Sequence, residues 1–175
     1  MDSLRFLFQH DDIRQLRAGD ELIFSGPVYT ARDQAHKRFV ELLAKKKKLP
    51  LDLTGQAIYY CGPTATRPGK VIGSCGPTTS SRMDEFVEPL LAAGLSVMIG
   101  KGRRSKAVRA AIKKYKAVYL LAPAGCGAFI AQKVSGCQPV CFEDLGPEAV
   151  CRLRVKDLPL VVGIDSRGKS IYPDL

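Results

Sequence analysis

Apolar residues along the chain alternate between helical spacing and short continuous runs. Ala35, Phe39, Leu42 and Leu43 recur at i, i+4, i+7 and i+8, the stripe of a helix with one buried face. Lys45 to Lys48 follow it, as suits a solvated helix end. Met83, Phe86, Val87, Leu90 and Leu91 repeat the pattern. Asp84 and Glu85 fall in that first turn, where acids favour the helix dipole, and Gly94 closes the helix. In SKAVRAAIKKYK, Val108, Ile112 and Tyr115 form the inward face, with Lys106, Arg109, Lys113 and Lys116 on another. The apolar runs predict strands at about 20–25, at 57–62 (AIYYCG), at 71–75 (VIGSC), at 95–100 (LSVMIG) and in AVYLLA. A turn and helix are expected in PAGCGAFIAQKV. Three more strands, QPVCFEDL, AVCRLRV and LPLVVGI, then lead to a turn at DSRGK.

Strands and helices alternate through the middle of the chain, which predicts an α/β fold with a central βαβ region on a parallel sheet. The strands at both ends need pairing of their own, such as a second sheet. No internal repeat or low-complexity linker divides the chain, and residues 1–175 are expected to form one domain.

Charge changes the picture. A formal net charge of +10 predicts attraction to anions, whether nucleic acid, acidic lipid, a small metabolite or an acidic protein. The longest uncharged stretch, 117–131, is too short for a membrane span and is broken by Pro123, Gly125 and Gly127. MDSLRFLFQHDD has an acid at its second position and no long apolar region, so a cytoplasmic protein without a signal peptide is expected. The six cysteines, at 61, 75, 126, 137, 141 and 151, are expected to be thiols, with Cys137 and Cys141 buried. With no CxxC and only two histidines, no metal site within this chain is expected.

The densest chemistry lies in GPTTSSRM, residues 76–83. It sits between a strand and a helix, where backbone N–H groups attract anions. Its hydroxyls add donors, and Arg82 can grip a carboxylate with two parallel hydrogen bonds. Ser80 or Ser81 could equally serve as a plain helix cap. Two further junctions bear on this choice. SGPVYTARDQAHKR places Arg32, Asp33 and His36 around a helix start, and IGKGRRS places Lys101 between glycines after a buried strand. Carboxyl ends of parallel strands are where open α/β sheets bind ligands, so the three cations could converge on a small dianion. The duller readings are a surface Arg32–Asp33 pair, a helix-face histidine and a solvated lysine. No phosphate-loop or dinucleotide fingerprint is present.

SGPVYTARDQAHKR, YYCGPT, GPTTSSRMD, IGKGRRS and VKDLPLVV occur in this order across almost the whole chain. In them the sequence resembles the beta subunit of two-subunit class I fumarate hydratases and the closely similar beta subunit of L-tartrate dehydratase. The resemblance implies a swivelling three-layer β/β/α domain. It implies a hydro-lyase, with fumarate as the first expected substrate and L(+)-tartrate as the alternative. It places a [4Fe-4S] cluster on a partner alpha subunit, with two copies of each subunit and beta–beta association. By the same likeness Arg32, Arg82 and Lys101 hold substrate carboxylates and Thr78 is the base, with Thr79 beside it binding substrate. Asp33 and His36 would orient Arg32 or face the partner. One departure is APAGCGAF, where the family commonly has a Gly-Gly turn and this chain has Cys126 between two glycines.

A basic nucleic-acid-binding module is the rival class. KGRRSKAVRAAIKKYK carries eight cations and no acid, but few aromatics interleave with them and no nucleic-acid motif appears.

Overall fold

A computed structural model of the chain describes residues 4–6 and 12–173. Much of the MDSLRFLFQHDD segment lies outside the described residues. The sheet strands are β1 (Leu4–Phe6), β2 (Glu21–Thr30), β3 (Ala57–Tyr59), β4 (Val97–Gly100), β5 (Val118–Leu121), β6 (Val134–Cys141) and β7 (Val150–Ile164). The helices are α1 (Asp33–Ala44), α2 (Asp84–Ala92), α3 (Lys106–Tyr115) and α4 (Gly127–Gln132). Short 3-10 turns span Ser80–Met83 and Glu143–Glu148.

The βαβ prediction holds through the centre. β2, β3, β4 and β5 pair side by side in parallel, with α1, α2 and α3 in the connections between them. The end strands do not make a second sheet. β1 joins β2 in parallel, and β7 pairs antiparallel with β5, β6 and β2. Because β7 bonds both β5 and β2, the hydrogen-bonded sheet closes on itself as a ring β2–β3–β4–β5–β7.

Closure gives every strand an inner and an outer side, and the period of two sorts residues between them. Ala57, Tyr59, Val97, Ile99, Val118, Leu120, Leu153, Val155, Leu160 and Val162 share one buried cluster with Leu22, Phe24 and Val28 of β2. The alternate residues Ile58, Tyr60, Met98, Tyr119 and Ile164 join a second cluster with Phe39 of α1, Leu90 of α2 and Ile112 of α3. Three helices thus cover one side of the sheet.

Four expectations about elements change. β2 runs on past residue 25 to Thr30, held by β7 through an irregularity between Phe24 and Gly26. Residues 71–75 form no strand. Ser74 and Thr64 bond one another instead, at 2.9 Å from Thr64 N–H to Ser74 O and 2.9 Å from Ser74 N–H to Thr64 Oγ1. AVCRLRV and LPLVVGI are one strand of 15 residues, which passes Asp157 in a left-handed conformation (φ +52°). Cys137 is exposed and Cys141 half-buried, because β6 pairs with β7 alone and so lies at the sheet's edge. No helix among the described residues is long and apolar enough to cross a membrane.

Candidate functional site

Parallel pairing fixes where the loops leave the sheet. The carboxyl ends of β2, β3 and β4 point the same way, so Arg32, Gly62 and Lys101 emerge on one side. The 76–83 motif is laid across these ends. Thr78 N–H donates to Tyr60 O at 2.8 Å, which hangs the motif from the end of β3. Thr79 is paired with Lys101 in an isolated parallel bridge, which ties it to the end of β4.

Ser80 makes the second arm of that tie, and neither serine caps a helix. No side-chain cap bond forms at the start of the 80–83 turn or of α2. Ser80 is fully buried. Its Oγ accepts the Lys101 N–H at 2.9 Å, and its N–H donates to Lys101 O at 3.2 Å. The Tyr119 hydroxyl lies 2.9 Å from the same Oγ and 3.0 Å from Gly102 O. A Cβ on Gly100 would sit 2.0 Å from Ser80 Oγ, so glycine is the residue that lets the motif approach the end of β4 this closely.

The cations on the other flank are organised by one carboxylate. Asp33 Oδ1 accepts from Arg82 Nε at 2.8 Å, and Asp33 Oδ2 lies 3.7 Å from Arg32 Nε. Arg32 Nη2 is 3.9 Å from Glu148 Oε1. A Cβ on Gly62 would come within 2.8 Å of Arg32 Cδ and 2.9 Å of its Nη1, so the arginine lies across a bare stretch of backbone. Arg82 keeps 52% of its side chain exposed, and with Nε bound to Asp33 its two terminal nitrogens form a fork suited to a carboxylate. The structure therefore joins Arg32, Asp33 and Arg82 directly, and Thr79 with Lys101.

His36 is not a solvent-facing helix residue. It is fully buried, and its Nδ1 lies 2.8 Å from Arg32 O, which can only accept, so the ring proton sits on Nδ1. Burial pushes its pKa down to about 4, against the raising effect of that hydrogen bond; Arg104 lowers it further and Asp33 raises it. His36 is thus neutral and packs edge-on against Tyr60, with ring centroids 5.2 Å apart. It braces Arg32 from behind.

Two residues belong here that the sequence did not mark. Glu148 reaches Arg32 from the turn before β7 and also accepts the Gln34 N–H at 2.9 Å. Arg104 has a fully buried side chain and pairs with Asp84 at 2.7 Å. Neither has a sequence signal: Glu148 is brought in by long-range folding, and Arg104 reads as one of two loop arginines. No group of three His, Cys, Asp or Glu side chains that could hold a metal ion occurs among the described residues. Cys61 and Cys75 are buried in the core. No set of donors suited to an iron–sulfur cluster is gathered among the described residues.

The arrangement is a cationic rim beside two threonines, with polar backbone tied down by a buried serine. It can hold a small dianion and stabilise charge that develops on it. Comparison with known proteins points the same way. Residues 4–175 match the family described as the fumarase C-terminus. A putative L(+)-tartrate dehydratase subunit beta from Methanocaldococcus jannaschii is 40% identical over 94% of this chain and 87% of its own length. The L(+)-tartrate dehydratase subunit beta of Escherichia coli is 35% identical over 94% of this chain and 83% of its own. Fumarate hydratase 1, mitochondrial, of Leishmania major is 38% identical over 88% of this chain but only 28% of its own length. With a match along nearly its whole length and these motifs on one rim, the chain belongs to the fumarase C-terminus family of hydro-lyases.

Proposed function

We propose that this chain is the beta subunit of a two-subunit hydro-lyase that adds water reversibly across the double bond of a four-carbon dicarboxylate. Fumarate is the first substrate of this reading. L(+)-tartrate, which would lose water in the reverse sense of the same reaction, is the second, favoured by the names of relatives matched over most of their length. The partner is an alpha subunit, and the cluster implied by the resemblance belongs to it in this reading; no metal-holding group of three such side chains occurs among the described residues. The three-layer swivelling arrangement is part of the same proposal, and so is pairing of two beta chains.

The observation that carries the reading is the rim itself. Arg32, Arg82 and Lys101 leave three neighbouring chain segments beside Thr78 and Thr79, and Asp33 holds the arginines in place. Removing a proton next to a carboxylate drives negative charge onto that carboxylate. Fixed cations then bind the transition state more tightly than the substrate. Thr78 takes the proton. A hydroxyl is a weak base, and the surrounding positive charge lowers the cost of its alkoxide. The Thr78 N–H bond to Tyr60 O fixes the backbone that carries it. The acid that completes the reaction comes from the partner.

The test is an anaerobic assay of the chain alone and mixed with its iron–sulfur alpha subunit, on fumarate, mesaconate and L(+)-tartrate. Turnover is expected from the mixture only; turnover by the isolated chain overturns the reading. Thr78→Ala is expected to lower kcat by at least ~100-fold with a small change in KM. Near-normal kcat would remove Thr78 as base.

A further inference from the structure

A buried cation behind the rim has no part in the reading so far. The Arg104 side chain is fully buried. Its Nε donates to Asp84 Oδ1 at 2.7 Å, while Asp84 Oδ2 accepts the Ser105 N–H at 2.7 Å. Its Nη2 is buried without a hydrogen-bond partner. Burying an ion pair and leaving a donor unmet is a poor way to stabilise a core, since apolar residues of like volume often do as well or better.

Arg104 lies against two tyrosines. The guanidinium carbon lies 5.3 Å from the Tyr60 ring centroid and 4.9 Å from that of Tyr119. Its Nη1 is 3.5 Å from the Tyr60 hydroxyl. Each tyrosine leads to a different arm of the rim. Tyr60 offers its carbonyl to Thr78 N–H. Tyr119 reaches Ser80 Oγ, which takes the Lys101 N–H.

We propose that Arg104, anchored by Asp84, is a positioning residue, which fixes Thr78 relative to Lys101 by holding the rings of Tyr60 and Tyr119. The kinetic side of this inference rests on the dicarboxylate reading; the structural side does not. A planar cation over two rings holds both at once, and a point charge on a flexible stem does so less well.

Three variants test it: Arg104→Met, Arg104→Lys and Tyr119→Phe. Amide hydrogen exchange is measured on the full chain, and kcat and KM on the enzyme assembled with its alpha subunit. In Arg104→Met, exchange at Thr78 and Lys101 is expected to quicken by about tenfold or more relative to Ile58 in β3, as for loss of one hydrogen bond. In Tyr119→Phe, which removes one hydroxyl, Lys101 alone is expected to quicken. Both variants should lower kcat by about tenfold with KM changed less, and Arg104→Lys should recover part of the loss. Unchanged exchange at Thr78 and Lys101, or a uniform rise across all amides, overturns the proposal, as does a normal kcat in Tyr119→Phe. If Arg104→Met fails to fold, Arg104→Lys, which keeps the charge and loses the planar fork, decides by the same exchange pattern at Thr78 and Lys101. If the wild-type assembly turns over no dicarboxylate, the functional reading fails, and the exchange pattern still tests the clamp.

Discussion

His36 sits wholly buried beneath the arginine whose carbonyl it binds, with its neutral form favoured chiefly by loss of water. Its pKa in the fold, about 4, lies below the ordinary 6.5, so protonation is disfavoured in the native state. The stability this gives is complete above pH ~6.5 and is lost as pH falls towards 4. A shift of this size corresponds to about 3 kcal/mol. Arg104 and Asp33 bear on the same ring with opposite signs. Urea unfolding at pH 7 and at pH 4.5 should show the fall, and His36→Gln should flatten it; an equal slope in the variant would place the effect elsewhere. Gly62 makes the other residue-scale case. Gly62→Ala puts a methyl group where Arg32 lies, and the long side chain must move. KM for the dicarboxylate should then rise by about tenfold or more, as the proposed carboxylate grip of Arg32 weakens. An unchanged KM would show that Arg32 does not bind substrate. The motifs disclosed these residues as a set. They disclosed the Arg32–Asp33 pair but not that Asp33 also ties Arg82, because that contact joins positions 49 apart in the chain.

At the scale of elements, α1 carries Arg32, Asp33 and His36 at its amino end, and it is seated by Phe39, which is fully buried against Phe142 at 5.2 Å. Phe39→Ala should cost about 3–5 kcal/mol in urea unfolding, by the cavity it leaves. A loss under 1 kcal/mol would mean that α1 is held by something else. α1, α2 and α3 were legible because a helix repeats its buried face, and the repeat survives whatever it packs against. Short apolar runs are less informative. Ile72 and Cys75 are indeed buried, as the run at 71–75 suggested, but the segment joins no ladder and instead bonds back to Thr64. Burial and strand pairing leave the same mark on so short a stretch. The break read between AVCRLRV and LPLVVGI has the converse cause. Asp157 twists out of strand geometry and the ladder resumes beyond it, with Leu158 opposite Phe24.

For the molecule as a whole, the family likeness located the rim, and the fold supplied what lies behind it. A clamp such as Arg104 leaves no pattern in a linear reading, since its partners Asp84, Tyr60 and Tyr119 come from three separate elements. The closing of the sheet was hidden for the same reason. Glu21 pairs with Val161, and no local signal spans such a separation. This late closure has a consequence during synthesis. β2 through β5 are complete by residue 121, while β7 runs to residue 164. A ribosome adding about 5–20 residues per second takes a few seconds to bridge that gap. Through that interval the nascent chain carries open edges on β2 and β5, ready to pair with a neighbour's strand. The pace of translation over that stretch therefore governs how long each new copy is exposed to misassembly.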